Sequence, residues 1–186
     1  MLQDLDKAVE SGGDKILIVM HQLGSHGPAY NKHCPPEFHQ FPNSCNKKQL
    51  IDCSKEQVTS AYDNTILYTD YFLGKTINFL KNYKEANTAM IYLSDHGESL
   101  GENGVYLHGL PYMIAPEEQI HIPFILWLSP HFVSSFKIDK KCLNQLQNEK
   151  ISHDNLFHSM LGLVNINTSY LDNSLNIFSA CRVGDH

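Results

Sequence analysis

The apolar run Ala89-Met90-Ile91-Tyr92-Leu93 breaks off at Ser94-Asp95-His96-Gly97, and no other feature limits the possible folds as tightly. A short apolar run bounded by polar residues and glycine predicts a strand, here over residues 88–93. Asp95 and His96 are neighbours, so inside a strand their side chains would point to opposite faces. On a glycine-held loop at the strand's end they can converge on one ion. Their oxygen and nitrogen donors suit Zn²⁺ or a similar divalent metal. A further imidazole, His108, follows on the same glycine-punctuated stretch.

Residues 15–20, Lys-Ile-Leu-Ile-Val-Met, read as a second strand, buried on both faces. It runs into the loop His21-Gln22-Leu23-Gly24-Ser25-His26-Gly27-Pro28. Residues 30–53 are irregular, with three prolines among them. A long helix should start after Ser54, with Gln57 completing a capping box. Val58, Ala61, Tyr62, Thr65, Ile66, Thr69, Phe72, Leu73, Thr76, Ile77 and Leu80 follow helical spacing, and the helix is expected to end near 83–86. Residues 122–128 predict another buried strand, stopped by Ser129-Pro130. A final helix near 152–163 has Ser152 as its cap and Leu156, Phe157, Met160, Leu161 and Val164 as its apolar face.

That order predicts an α/β domain, a three-layer sandwich with a mostly parallel sheet. Ligands of such folds gather beyond the carboxyl ends of the strands. The loops at 21–28 and 94–108 should therefore share one edge, which makes His26, Asp95, His96 and His108 the candidate site. Taken singly each has a plainer reading, since a loop histidine hydrogen-bonds and an Asp caps a turn. Four such groups on two strand-end loops point to a metal or phosphate site.

The 186 residues fit one domain, and 42% hydrophobic with 18% charged residues describes a globular chain. The net charge of −6 and the lack of a Lys/Arg cluster argue against nucleic acid as a partner. No apolar run reaches the ~20 residues of a membrane span, and the acidic, mixed N-terminus reads as no secretory signal. Cys45 and Cys53 flank a polar loop that a disulfide would close in an oxidising compartment. Cys142 and Cys181 are a second candidate pair, which leaves Cys34 unmatched. In a reducing compartment all five would be ordinary thiols.

The run from Ser94-Asp95-His96-Gly97-Glu98-Ser99-Leu100-Gly101-Glu102-Asn103-Gly104 to Tyr106-Leu107-His108-Gly109-Leu110-Pro111-Tyr112 resembles the lipid A phosphoethanolamine transferases. The resemblance extends through Gly24-Ser25-His26-Gly27-Pro28, Tyr62-Asp63-Asn64-Thr65 and Ser152-His153-Asp154-Asn155-Leu156-Phe157-His158. That family belongs to the alkaline phosphatase/sulfatase-like superfamily and includes the mobile colistin-resistance enzymes. The resemblance implies an alkaline phosphatase/sulfatase-like fold, incomplete here, with residues 1–186 as the C-terminal portion of the catalytic domain. It also implies Zn²⁺-dependent transfer of phosphoethanolamine from phosphatidylethanolamine to a lipid A phosphate at the periplasmic face of the bacterial inner membrane. A threonine is the family's nucleophile and becomes phosphorylated.

Carried onto this chain, Asp95 and His96 are metal ligands. His26 and His108 are catalytic and substrate-binding, contacting the phosphoethanolamine or a second zinc, and they are expected to stabilise the phosphoryl oxygens and protonate the leaving group. No threonine here stands in the family's nucleophile context, so none of these residues is expected to be the nucleophile. The transmembrane helices and the nucleophile-bearing half of the domain are expected in a segment that this chain lacks, and membrane association with them. An incomplete sheet would leave an apolar edge open to self-association. Glu98 and Glu102 read equally as support for the histidines or as solvated loop residues. Asp63 and Asn64 read as structural, and His21, His121, His153 and His158 as packing or hydrogen-bonding residues. Two other functions stand beside the transferase. One is a related metal-dependent phosphodiesterase or sulfatase, and the other a catalytically inert fragment.

Overall fold

A computed structural model describes residues 1–183. They fall into two compact units, one made of Met1–Phe79 and Met90–Leu126, the other of Leu80–Ala89 and the chain from Trp127 onward. The first unit opens with α1 (Leu5–Glu10) and α2 (Tyr30–His33) and is dominated by α3 (Lys55–Leu80). The capping box at α3 forms as the sequence predicts. Ser54 N–H donates to Gln57 Oε1 at 2.9 Å, and Gln57 N–H donates to Ser54 Oγ at 3.3 Å. Val58, Ala61, Thr65, Thr69, Phe72, Leu73 and Thr76 are buried along one face of α3, whereas Ile66 is exposed. The helix stops at Leu80, short of 83–86, and the chain then turns.

Tyr30, Cys45, Leu50, Cys53, Val58 and Ala61 form the core of this unit, with Tyr62, Leu100, Tyr106 and Leu107 packed against it. The Cys45–Cys53 disulfide lies within that core, its Cα atoms 5.9 Å apart. Asn64, buried on α3, takes the Phe41 N–H on Oδ1 and donates to the Phe41 carbonyl and to Ser44 Oγ. It thereby ties the irregular segment before α3 to the helix. Cys34 keeps a free, buried thiol that donates to the Asn64 carbonyl.

Strand β1 (Ala89–Leu93) pairs with β4 (Phe124–Leu128), and β2 (Ser99–Leu100) pairs antiparallel with β3 (Tyr106–Leu107). A short α4 (Glu117–Ile120) lies between β3 and β4. Ser94 N–H donates to the Pro123 carbonyl beyond one end of β1, and Ser129 N–H to the Thr88 carbonyl beyond the other, the crossed pattern of an antiparallel pair. Of the strand expected over 122–128, Phe124–Leu128 forms, but it is half-buried and Ile125 is exposed.

The strand expected over 15–20 is absent. Those residues adopt no regular structure, and Leu17 and Val19 are 64% and 83% exposed. A doubly buried strand needs a backbone ladder and a covered face, and no described strand supplies its ladder. Both described strand pairs are antiparallel. Ile16, Leu17, Ile18 and Val19 are all exposed.

In the second unit α5 (Pro130–Ser135) is capped by Ser129, whose Oγ accepts the Phe132 N–H. Helix α6 (Lys140–Gln145) is capped by Asp139, which accepts from Lys141 and Cys142 N–H. Helix α7 (Asp154–Leu163) ends this series, and Ser152 Oγ accepts the Asp154 N–H at its start. Cys142 and Cys181 are bonded, so the second candidate pair forms as well. No helix among the described residues is long and apolar enough to cross a membrane.

Candidate metal centre

The two histidine-bearing loops meet inside the first unit. Ring centroids of His26 and His108 are 4.9 Å apart, those of His96 and His108 3.8 Å, and those of His26 and His96 5.9 Å. One donor nitrogen from each ring lies within 4.8 Å of the other two. This is the only such group of three metal-ligating side chains among the described residues.

Each imidazole is anchored by Nδ1 to an atom that can only accept. His26 Nδ1 faces the Gly27 carbonyl at 2.6 Å, His96 Nδ1 the Gly97 carbonyl at 3.0 Å, and His108 Nδ1 a Glu98 carboxylate oxygen at 3.0 Å. Acceptor-only partners place the proton on Nδ1 in all three rings and leave each Nε2 with its lone pair. Three imidazoles presenting Nε2 lone pairs are a donor set that fits Zn²⁺ with a coordination position left open.

Asp95 does not enter that cluster. Its side chain is largely exposed, its Oδ1 lies 3.9 Å from His96 Nε2, and the same oxygen accepts the His96 N–H at 3.1 Å. The other histidines stay apart from it. His121 is exposed and pairs with Glu117 at 3.5 Å, and His158 Nδ1 accepts the Asp172 N–H in the second unit.

Glycine makes the loop geometry possible. A Cβ on Gly97 would sit on the Glu118 carbonyl oxygen, in a place where Gly97 N–H donates to the Gln119 carbonyl at 2.9 Å. A Cβ on Gly27 would meet the side chains of Leu107 and Tyr30. Two supporting residues escaped the sequence reading. Tyr30, almost fully buried at the start of α2, donates to Glu98 at 3.2 Å. Gln119 donates to Ser99 Oγ at 2.9 Å and accepts the Leu110 N–H at 3.4 Å, bracing the loop around His108. Neither carries a sequence signal, because a buried tyrosine or glutamine reads as ordinary packing until its partners are placed.

Burial, and next the charge of Glu98, push the Tyr30 phenol far above the usual tyrosine range, and the bond to Glu98 adds to this. Burial and then Glu98 raise Tyr62, and burial and then Asp95 raise Tyr92. The folded state therefore disfavours these phenolates, whereas the unfolded chain ionises them near pH 10. Their contribution to stability is full below about pH 10 and is lost as the pH climbs further. In a spectrophotometric titration with the fold intact, Tyr30, Tyr62 and Tyr92 of the nine tyrosines should ionise above the usual tyrosine range. One ionisation step for all nine near pH 10, with circular dichroism unchanged, would contradict this.

The family model described as Sulfatase matches residues 1–166. The chain is 46% identical over 172 residues to phosphoethanolamine transferase EptA of Escherichia coli K12, covering 91% of this chain and 31% of that protein. It is 45% identical over 129 residues to phosphatidylethanolamine transferase Mcr-1 of Escherichia coli, covering 68% of this chain and 24% of that protein. The soluble domain of lipooligosaccharide phosphoethanolamine transferase A from Neisseria meningitidis matches with a TM-score of 0.93 at 38% identity, over 97% of this chain and 55% of that one. The chain spans under a third of the length of these curated relatives. With the family match running through every loop that bears the three histidines, the chain belongs to the sulfatase family.

Proposed function

We propose that these residues supply the histidine side of a zinc-dependent phosphoethanolamine transferase, which moves the headgroup of phosphatidylethanolamine onto a lipid A phosphate in the bacterial periplasm. The observation that carries this reading is the cluster of His26, His96 and His108, with one ligand nitrogen of each ring within 4.8 Å of the others and each Nδ1 bonded to an acceptor. The similarity to EptA and Mcr-1 supports the choice of transfer over hydrolysis.

His26, His96 and His108 would together hold Zn²⁺, with Asp95 beside His96 at the exposed margin. When bound, such an ion supplies Lewis acidity and positive charge at the phosphoryl oxygens. His26 and His108 have Nε2 as the working atom. The neutral ring offers that nitrogen's lone pair to the cation, whereas the doubly protonated ring donates from it to a phosphoryl oxygen and can pass that proton to the leaving alcohol. In the transfer, a threonine oxygen outside these residues bonds to phosphorus and the bond to diacylglycerol breaks, the freed oxygen taking a proton. A lipid A phosphate oxygen then displaces the threonine. Thr65 Oγ1 lies 2.6 Å from the Tyr62 carbonyl and 2.7 Å from Ser25 Oγ, and Thr76 donates to the Phe72 carbonyl.

The test is zinc content by mass spectrometry together with turnover of a fluorescent phosphatidylethanolamine. The chain is expected to take up zinc, to lose it in His108→Ala, and to release no headgroup by itself. A chain that takes up no zinc would overturn the metal assignment, and clear headgroup release would overturn placing the nucleophile outside these residues.

A further inference from the structure

Glu98 is 7% exposed and lies between the histidine-bearing loops. Its Oε1 accepts the Gly27 N–H at 3.1 Å and faces His108 Nδ1 at 3.0 Å, while Oε2 accepts the Tyr30 hydroxyl at 3.2 Å. Gly27 directly follows His26, and Glu98 lies two residues beyond His96. This one carboxylate is therefore tied to the segments of all three imidazoles. A buried carboxylate is costly unless hydrogen-bonded, and here three donors from two loops and one helix converge on it. A solvated loop glutamate would have none of them.

The consequence falls on His108. Free neutral histidine in water favours the proton on Nε2, which would turn a donor toward any cation at the cluster. His26 and His96 hold the opposite tautomer through backbone carbonyls, and His108 alone depends on a side chain. Which ring nitrogen is available is set by the hydrogen bond made by the other. We infer that Glu98, itself held by Tyr30 and the Gly27 N–H, is a positioning residue that fixes His108 in the Nδ1–H tautomer and aims its Nε2 at the cation and phosphoryl group.

This rests on the proposed function for its ligand, and the tautomer can be read without that ligand. The test uses the whole chain at pH 8, with nitrogen-15 NMR of the histidine rings, zinc affinity by chelator competition, and circular dichroism to confirm folding. The native protein should show His108 as Nδ1–H. Glu98→Gln, whose amide oxygen still accepts, should keep that tautomer and bind zinc about 10-fold more weakly. Glu98→Leu should turn His108 to Nε2–H and weaken zinc by about 100-fold. If Glu98→Leu does not fold, the glutamine variant carries the test. An Nε2–H tautomer at His108 in the native protein, or zinc affinity unchanged in Glu98→Gln, would overturn the inference. A native protein that shows the Nδ1–H tautomer, loses it in Glu98→Leu and binds no zinc would support the positioning role and overturn the metal reading alone.

Discussion

His96→Ala should lower zinc affinity by at least about 100-fold, because losing a ligand costs more than losing the outer support of one, itself worth about 10–100-fold. His96 is half-buried, its ring is stacked on His108, and its Nδ1 is fixed by the Gly97 carbonyl. The substitution removes one of three convergent donors and leaves the loop backbone in place. His121→Ala is the control, since that exposed imidazole pairs only with Glu117 and lies outside the cluster. It should leave zinc affinity unchanged. Asp95→Ala separates two ways of dividing the labour. In a longer protein that carries the nucleophile-bearing segment, unchanged zinc content after this substitution would remove Asp95 from the ligand set and leave the three histidines. Equal affinity in the native chain and His96→Ala would refute the metal centre itself.

Replacing Cys142 and Cys181 together with serine should destabilise the fold by about 4 kcal/mol, the chain-entropy expectation for a loop of this span. The two cysteines lie 39 residues apart and tie α6 to the segment around Cys181, which is 1% exposed. The Cys45–Cys53 bond closes a span of only 8 residues, so its removal should cost less, about 2.5 kcal/mol. Cys45, Cys53 and Cys181 are buried, so a polar serine at those positions would face a packed interior, which adds to the loss. Urea denaturation of the paired variants gives the two values. A loss under about 1 kcal/mol for the longer loop would show that the bond adds little to the packing already around Cys181.

Local elements were legible where a local rule suffices. The capping box at Ser54 and Gln57, the apolar face of α3 and the β1 strand before Asp95 could be read from residue type and spacing, whereas the two disulfide pairs were candidates beside five free thiols until the structure joined them. The first three depend on interactions a few residues long. The strand over 15–20 failed because its apolar pattern describes what the segment needs, a ladder and a cover, and not whether these are present. The burial expected of 122–128 failed for a related reason. An apolar run shows only that burial would be favourable, and Ile125 remains exposed.

By itself the sequence determined the superfamily, the two loops that carry the chemistry, and His26, Asp95, His96 and His108 as its candidates. Those conclusions rest on residue identity, which the chain carries whatever its shape. Only the tertiary structure decided that three of the four converge, that Asp95 stands at the exposed margin, and that Glu98 is buried instead of solvated. The physical reason is that tautomer, burial and convergence are properties of pairs. Gly27 and Tyr30 reach Glu98 from about seventy residues away in the chain, and no local pattern encodes that meeting.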